Sequence, residues 1–294
     1  MIKRIALLGL PIYSLSEYHG MALAVKSLRT AGIDRILANH AESFHDLGDV
    51  QTSMLVSNTG PRNLKNFPEF LKDTDSLEKS AGKVDSADFA FCLGGGCELI
   101  IGTLAGFKRA FKGKPGVVWM DAHGDFNTPE TSASGYIGGM GLAMACGRGP
   151  RFSSRIEDAR PLLMEENVVH IDSRTVDPLE QQAMINSRMK LYSAETVRAE
   201  GAAKIAEDTA NYLVDKCDWI VCHLDVDALD PMFNSGVNFP ASGGLNPTDV
   251  KTIVGALQRT GKMRVFNLTA YNPLFDEDGR SCKTLLSLVT ELFS

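Results

Sequence analysis

The sequence predicts one α/β domain over residues 1–294, a three-layer α/β/α sandwich with a mostly parallel central sheet. Three observations predict it. Short runs of four to seven mostly apolar residues recur along the chain, as expected for strands covered on both faces. Helical patterns alternate with these runs, which implies parallel strands joined by right-handed crossovers. No low-complexity segment, internal repeat or Pro/Ser-rich linker marks a boundary between domains.

The elements follow in order. The predicted strands are 4–10, 89–93, 116–120, 168–171, 219–224 and 265–268. The predicted helices are 21–31, 97–111, 138–146, 178–187, 194–214, 247–258 and 282–293. Asn246 before Pro247 is a good helix start, because Pro fits the first turn and Asn caps it. In open parallel sheets, ligands bind beyond the carboxyl ends of the strands. The motif-bearing segments fall there, after Leu93, Met120, Leu224 and Leu268.

Bulk properties narrow the function classes. The net charge of −6 gives no basic face for nucleic acid. No apolar run reaches the roughly 18 residues that span a bilayer. The start, MIKRIALLGLP, reads as a first strand rather than a signal peptide. The six cysteines are scattered without a CxxC pair, which argues for reduced thiols and a cytoplasmic setting. At 44% hydrophobic residues, a chain this long can bury a core without disulfides.

Two acidic clusters carry the chemistry. In DAHGD at 121–125, Asp121, His123 and Asp125 occupy every second position, so an extended backbone points all three one way. In DVD at 225–227, Asp225 and Asp227 share a face by the same argument. Four carboxylates converging at one strand edge repel one another unless cations neutralise them. Carboxylate with imidazole suits Mn, Fe, Zn or Co better than Ca or Mg alone. The bland alternative for either cluster alone is a solvated loop or helix cap. His223 precedes Asp225 by two residues and is read as structural.

GGGCE (94–98), DAHGDFNTPETSASGYIGGM (121–140), HLDVDALDP (223–231) and AYNPLFDEDGR (270–280) together resemble the arginase, agmatinase and formimidoylglutamase family. GMALAVKSLRTAGI (20–33) resembles that family's first helix. The resemblance covers nearly the whole chain. It implies a binuclear metal hydrolase that cleaves a linear amidine C–N bond with a metal-bridging hydroxide. It implies two divalent ions, manganese foremost with Zn, Fe or Ni as alternatives, a small-molecule substrate, and a homo-oligomer (trimer or hexamer). Asp121, His123, Asp125, Asp225 and Asp227 match five of six family ligands, and Cys97 stands where the sixth, a His, is usual. In such a mechanism Asp125 can also relay a proton to the departing nitrogen as general acid. Asn127 and Ser134 match contacts to a substrate α-carboxylate, and Asp177 and Glu180 match residues near its α-amino group. Without the resemblance, Asn127 reads as a turn residue, and Asp177 or Glu180 as helix caps.

Three positions depart from the pattern. Cys97 is softer than imidazole and carries charge as a thiolate. Gly138 replaces a His proton shuttle, and Ala270 replaces a Glu that pairs with the guanidinium or amidine. These departures argue against an efficient arginase. The Cys and the NTPETxxxGYxGGM segment resemble Nω-hydroxy-L-arginine amidinohydrolases, and a hydroxylated amidine nitrogen is a less basic leaving group. GGGxE and YNPxFDxDGR resemble formimidoylglutamases. The alternative function is a catalytically degenerate protein of this fold that acts as a binding or regulatory partner.

Overall fold

The computed structural model describes residues 2–152, 156 and 158–294. Eight strands form one sheet: β1 (Ile2–Leu10), β2 (Ala41–Asp49), β3 (Phe89–Gly94), β4 (Pro115–Asp121), β5 (Val168–Asp172), β6 (Lys190–Ser193), β7 (Trp219–Asp225) and β8 (Met263–Thr269). Their order is β2-β1-β3-β8-β7-β4-β5-β6, and every pairing is parallel. Helices cover both faces. Leu23–Thr30, Ile33–Asn39, Ala202–Val214, Pro247–Arg259 and Arg280–Phe293 pack on one side. Phe67–Ala81, Leu99–Ala110 and Gly141–Ala145 pack on the other. No helix among the described residues is long and apolar enough to cross a membrane.

The inner strands β3, β4, β5 and β7 are buried at every position, which is why their sequences are mostly apolar runs rather than alternating ones. The edge strands were not expected from sequence. β2 reads AESFHDLGD and keeps most residues partly or fully exposed, and β6 has only four residues, so neither shows a buried run. The helices Ile33–Asn39 and Phe67–Ala81 were also not expected. The second has Pro68 in its first turn and buries Phe70, Thr74, Leu77 and Ala81 at helical spacing, although Thr74 weakens the apolar stripe.

Other expected helices need correction. The stretch 194–214 is two helices, broken at Gly201, whose φ of 87° no helix interior adopts. The stretch expected as a helix from 21 begins as a 3-10 turn over Ser16–Ala22. The one expected from 138 likewise opens as a 3-10 turn, Gly138–Met140.

The helices Phe67–Ala81 and Leu99–Ala110 meet where Gly102 faces the first of them. A Cβ there would lie 2.5 Å from the Thr74 carbonyl oxygen and 2.6 Å from the Leu77 Cβ. Alanine is the better helix former by about 1 kcal/mol, but overpacking costs about 1–3 kcal/mol. The clash is with backbone, which puts the cost at the upper end, so Gly102→Ala is expected to lower stability by about 2 kcal/mol in urea unfolding. A variant as stable as the wild type would show that the two helices separate freely.

Candidate metal centre

Adjacent strands deliver the centre. β3, β8, β7 and β4 lie side by side, and register pairs Leu93 with Leu268, Thr269 with Asp225, and Leu224 with Met120. The segments that follow these strands therefore leave the sheet at one edge. The Gly94–Gly96 turn sets Cys97. The Gly95 amide donates to the Leu10 carbonyl and the Gly96 amide to the Ile12 carbonyl, each at 2.9 Å. A Cβ at Gly95 would stand 1.9 Å from the Ile12 oxygen, so glycine alone permits this approach. Cys97 Sγ then reaches 3.0 Å from Asp225 Oδ2 and 3.4 Å from Thr269 Oγ1.

Asp121 closes β4 and is fully buried. Its Oδ2 accepts from Trp119 Nε1 at 3.0 Å, and its Oδ1 from the His123 amide at 2.7 Å. His123 Nδ1 lies 3.0 Å from Asp227 Oδ2 and 3.4 Å from Asp121 Oδ1. Asp227 also accepts from the Ala122 amide at 3.1 Å, and Asp225 from the Asp227 amide at 2.7 Å. These bonds tie the DAHGD and DVD segments to each other. Asp125 stands in left-handed backbone at φ 49°, and its carboxylate has no hydrogen-bond partner among the described residues. Strain of this kind in a non-glycine residue persists where surrounding structure enforces it. Donor atoms of Cys97, Asp121 and Asp125 all fall within 4.8 Å of one another, as do those of Asp121, His123 and Asp227. Asp121 belongs to both groups.

The cage is electrostatically unbalanced. Burial, then the charge of Asp227, pushes Asp121 up to about 6. Burial, with Asp121 and Asp225 beside it, raises Asp125 well above the carboxylate range. Asp225 rises for the same reason, through burial and the charges of Asp227 and Asp121. Burial and these carboxylates also raise the Cys97 thiol. Burial acts against the charge of His123, yet its bonds to Asp121 and Asp227 prevail and lift it to about 12. Burial likewise opposes ionisation of Asp227, and the same His123 contact overrides it and holds Asp227 low. One imidazolium thus faces four carboxylates. Arg174 attracts Asp227, Asp121 and Asp225 only from a distance, because its guanidinium pairs with Asp172 and donates to the Asp227 and Ala241 carbonyls. The donor set of oxygen, nitrogen and sulfur fits divalent transition metals, and cations there would remove the repulsion that drives these shifts.

His223 does not join the cage. Its ring is buried and stacks on Trp119 at 3.7 Å, nearly parallel at 7°, and burial pushes it down to about 3. A cavity of about 280 Å³ opens onto the cage and is lined by Cys97, His123, Asp125, Asp225 and Asp227. The residues expected at a substrate tail, Asn127, Ser134, Asp177 and Glu180, line it as well. Asn127 Nδ2 donates to Asp177 Oδ2 at 3.2 Å. Glu180 Oε1 accepts from the Phe126 and Asn127 amides at 2.7 and 3.1 Å, and Oε2 from the Asp177 amide at 3.2 Å. Glu180 thus completes a capping box with Asp177 and fixes the loop after Asp125. Its carboxyl is raised to about 7, chiefly by burial. Ser134 is exposed, and its hydroxyl accepts from the Tyr136 amide at 3.2 Å.

Sequence reasoning missed Trp119, Arg174, Thr269 and Tyr136. The first three act on the cage from the layer beneath or beside it. Only their places two residues before Asp121, two after Asp172 and at the end of β8 could have marked them. Ala270 also sits at a left-handed φ of 67° and lines the cavity, its amide held by the Gly95 carbonyl at 2.7 Å.

The sequence profile of the arginase family matches residues 3–294. An arginase of Bacillus subtilis is 33% identical over 99% of this chain and 98% of its own. The structure of Bacillus caldovelox arginase superposes with a TM-score of 0.91 at 30% identity, covering 99% of this chain and 98% of that one. Entamoeba histolytica arginase, solved in complex with L-ornithine, gives a TM-score of 0.90 at 27% identity over 100% of this chain and 99% of that one. Fold, cage and these likenesses along the full length agree: the chain belongs to the arginase family.

Proposed function

We propose that this chain hydrolyses the amidine C–N bond of a guanidino amino acid, with an Nω-hydroxyguanidine group preferred over an unmodified guanidinium. Members of the arginase family are metal-dependent amidinohydrolases acting on linear amidines, and the cage supports that chemistry here. Cys97, Asp121, Asp125 and Asp225 would hold one divalent ion. Asp121, His123, Asp225 and Asp227 would hold the other. When bound, such ions supply Lewis acidity and a water acidic enough to attack near neutral pH. Manganese is our first choice, because four carboxylates dominate the donor set.

The chain's own residues set the rest. The Asp177 carboxylate and the Asn127 amide offer opposite polarity at one part of the wall, suited to an α-ammonium and an α-carboxylate. Glu180 fixes Asn127 through its backbone amide. The Asp125 carboxyl, free of side-chain partners, would hand a proton to the departing nitrogen. The observation that carries the substrate preference is the cavity wall at Ala270. A methyl group stands there, and Met21 and Tyr13 pack against it. No carboxylate at that position pairs with a fully charged guanidinium, so a less basic amidine loses less there. The unpaired cysteines support a cytoplasmic setting, and the family resemblance supports a homo-oligomer.

Turnover with manganese is measured on L-arginine, Nω-hydroxy-L-arginine, agmatine, guanidinobutyrate and formimidoylglutamate. Hydroxyarginine is expected to give the highest kcat/KM. Ala270→Glu is expected to raise kcat/KM for arginine by about 10-fold or more, the worth of a charged hydrogen bond. Equal rates on arginine and hydroxyarginine, unaffected by the substitution, would contradict the preference.

Metal removal has a pH signature. Asp121 rises from 3.8 to about 6 in the metal-free fold. A raised carboxyl contributes stability below its unfolded value and loses it as pH climbs through the folded one. Asp125 and Asp225 shift the same way, and Asp227 the opposite way. Ligation needs the deprotonated forms, His123 included. The Tm gap between manganese-loaded and chelated protein is therefore expected to widen from pH 5 to pH 8. A gap that narrows over that range would contradict the cage as the binding site.

A further inference from the structure

Tyr136 lines the cavity beside the cage. Its ring lies over Gly138: a Cβ built there would stand 2.2 Å from Tyr136 Cζ and 2.3 Å from its hydroxyl oxygen. Any side chain at 138 would expel the phenol, so the glycine and the tyrosine are a matched pair. Two rings hold the tyrosine in place. Tyr18 meets it edge-on at 5.0 Å between centroids, and Phe239 lies at 6.1 Å. Tyr18 and Phe239 also meet edge-on at 5.2 Å, and Phe239 touches the His123 ring at 5.7 Å. Such arrangements fix ring orientation. The phenol oxygen has no hydrogen-bond partner among the described residues. Tyr136 is half-buried, so its free hydroxyl faces the cavity, where water or a ligand can accept from it. Burial, then the charges of Glu98, Cys97 and the cage, pushes the phenol up, so it stays protonated and able to donate.

The chemistry of the surrounding wall says what it would donate to. Asp125, Asp225, Asp227 and Asp177 are acceptors when ionised. A plain guanidinium has only donors, and these carboxylates suit it. An N-hydroxylated amidine adds a hydroxyl that donates and accepts: an ionised carboxylate takes its proton, and its lone pairs are left for a neutral donor such as a phenol.

We propose that Tyr136 is a further specificity-determining residue of the site, donating a hydrogen bond from its phenol to the hydroxyl oxygen of an N-hydroxyguanidine. This rests on the amidinohydrolase reading above and deepens it. Gly138 acts through Tyr136, by leaving the ring its place.

Titration calorimetry on manganese-loaded protein tests it, with Nω-hydroxy-L-arginine and L-arginine as ligands and initial rates measured in parallel. Tyr136→Phe keeps the ring and removes only the hydroxyl. It is expected to weaken hydroxyarginine binding about 3- to 10-fold, the worth of one neutral hydrogen bond, and to leave arginine binding unchanged. Gly138→Ala, which displaces the ring, is expected to lower the same preference. Equal loss for both ligands in Tyr136→Phe would make the residue a wall and overturn the proposal, as would no change for either. Preferential binding lost in Tyr136→Phe, with no turnover in any variant, would support the contact and remove the hydrolytic reading. Turnover with the preference intact in Tyr136→Phe would overturn the contact and leave that reading standing. Failure of wild-type protein to bind either ligand would overturn both.

Discussion

Mutual repulsion among buried carboxylates is the constraint around which this fold is arranged. Asp121, Asp125, Asp225 and Asp227 are withdrawn from water and face one imidazole. Removing charge from water without compensation costs several kcal/mol per group. The hydrogen bonds present hold the cage together only in part. Trp119 and two backbone amides serve Asp121 and Asp225, while Asp125 has none. A chain that gathers such groups and does not pair them with Lys or Arg leaves the balance to ions from outside.

The rest of the architecture serves that gathering. A parallel sheet places the ends of non-consecutive strands next to one another, so residues far apart in sequence meet: Cys97 and Asp225 are 128 positions apart and touch. The strain is local to the same edge. Asp125, Asp172, Ser173 and Ala270 hold positive φ angles close to the strand ends. The large apolar core on both faces of the sheet stabilises enough to offset these costs. Arg174 shows how the second layer contributes. Bonded to Asp172 and to the backbone of the DVD and 241 segments, it fixes the position of Asp227 without competing for its carboxylate.

Much of this was legible in the sequence, and the reasons are specific. The inner strands are buried on both faces, so their apolar runs stood out. DAHGD and DVD were legible because extended spacing puts alternate side chains on one face. The edge strands β2 and β6 were illegible because they are half-exposed and carry no clear run. The helix Phe67–Ala81 carried a signal in Pro68 and its spaced hydrophobes, blurred by Thr74 and Asp73 on the buried face. Gly201 marked the break in 194–214 and was readable as a helix stop. Tyr136 was hidden for another reason. Its place depends on the empty volume above Gly138, a relation between two residues that neither residue type announces.

The departures at Cys97, Gly138 and Ala270 leave the cage itself intact, since Cys97 still points its sulfur at Asp225. Cys97 changes one donor of the cage, while Gly138 and Ala270 change the wall and so bear on which amidine is held. The claim beneath all of this is that cations sit among the four carboxylates. The most direct measurement is a crystal structure of manganese-soaked protein with anomalous data at the Mn edge. The account requires two strong peaks, both contacting Asp121 and Asp225, one also near Cys97 and Asp125 and the other near His123 and Asp227. A cage without anomalous density, or density only at surface carboxylates, would contradict it.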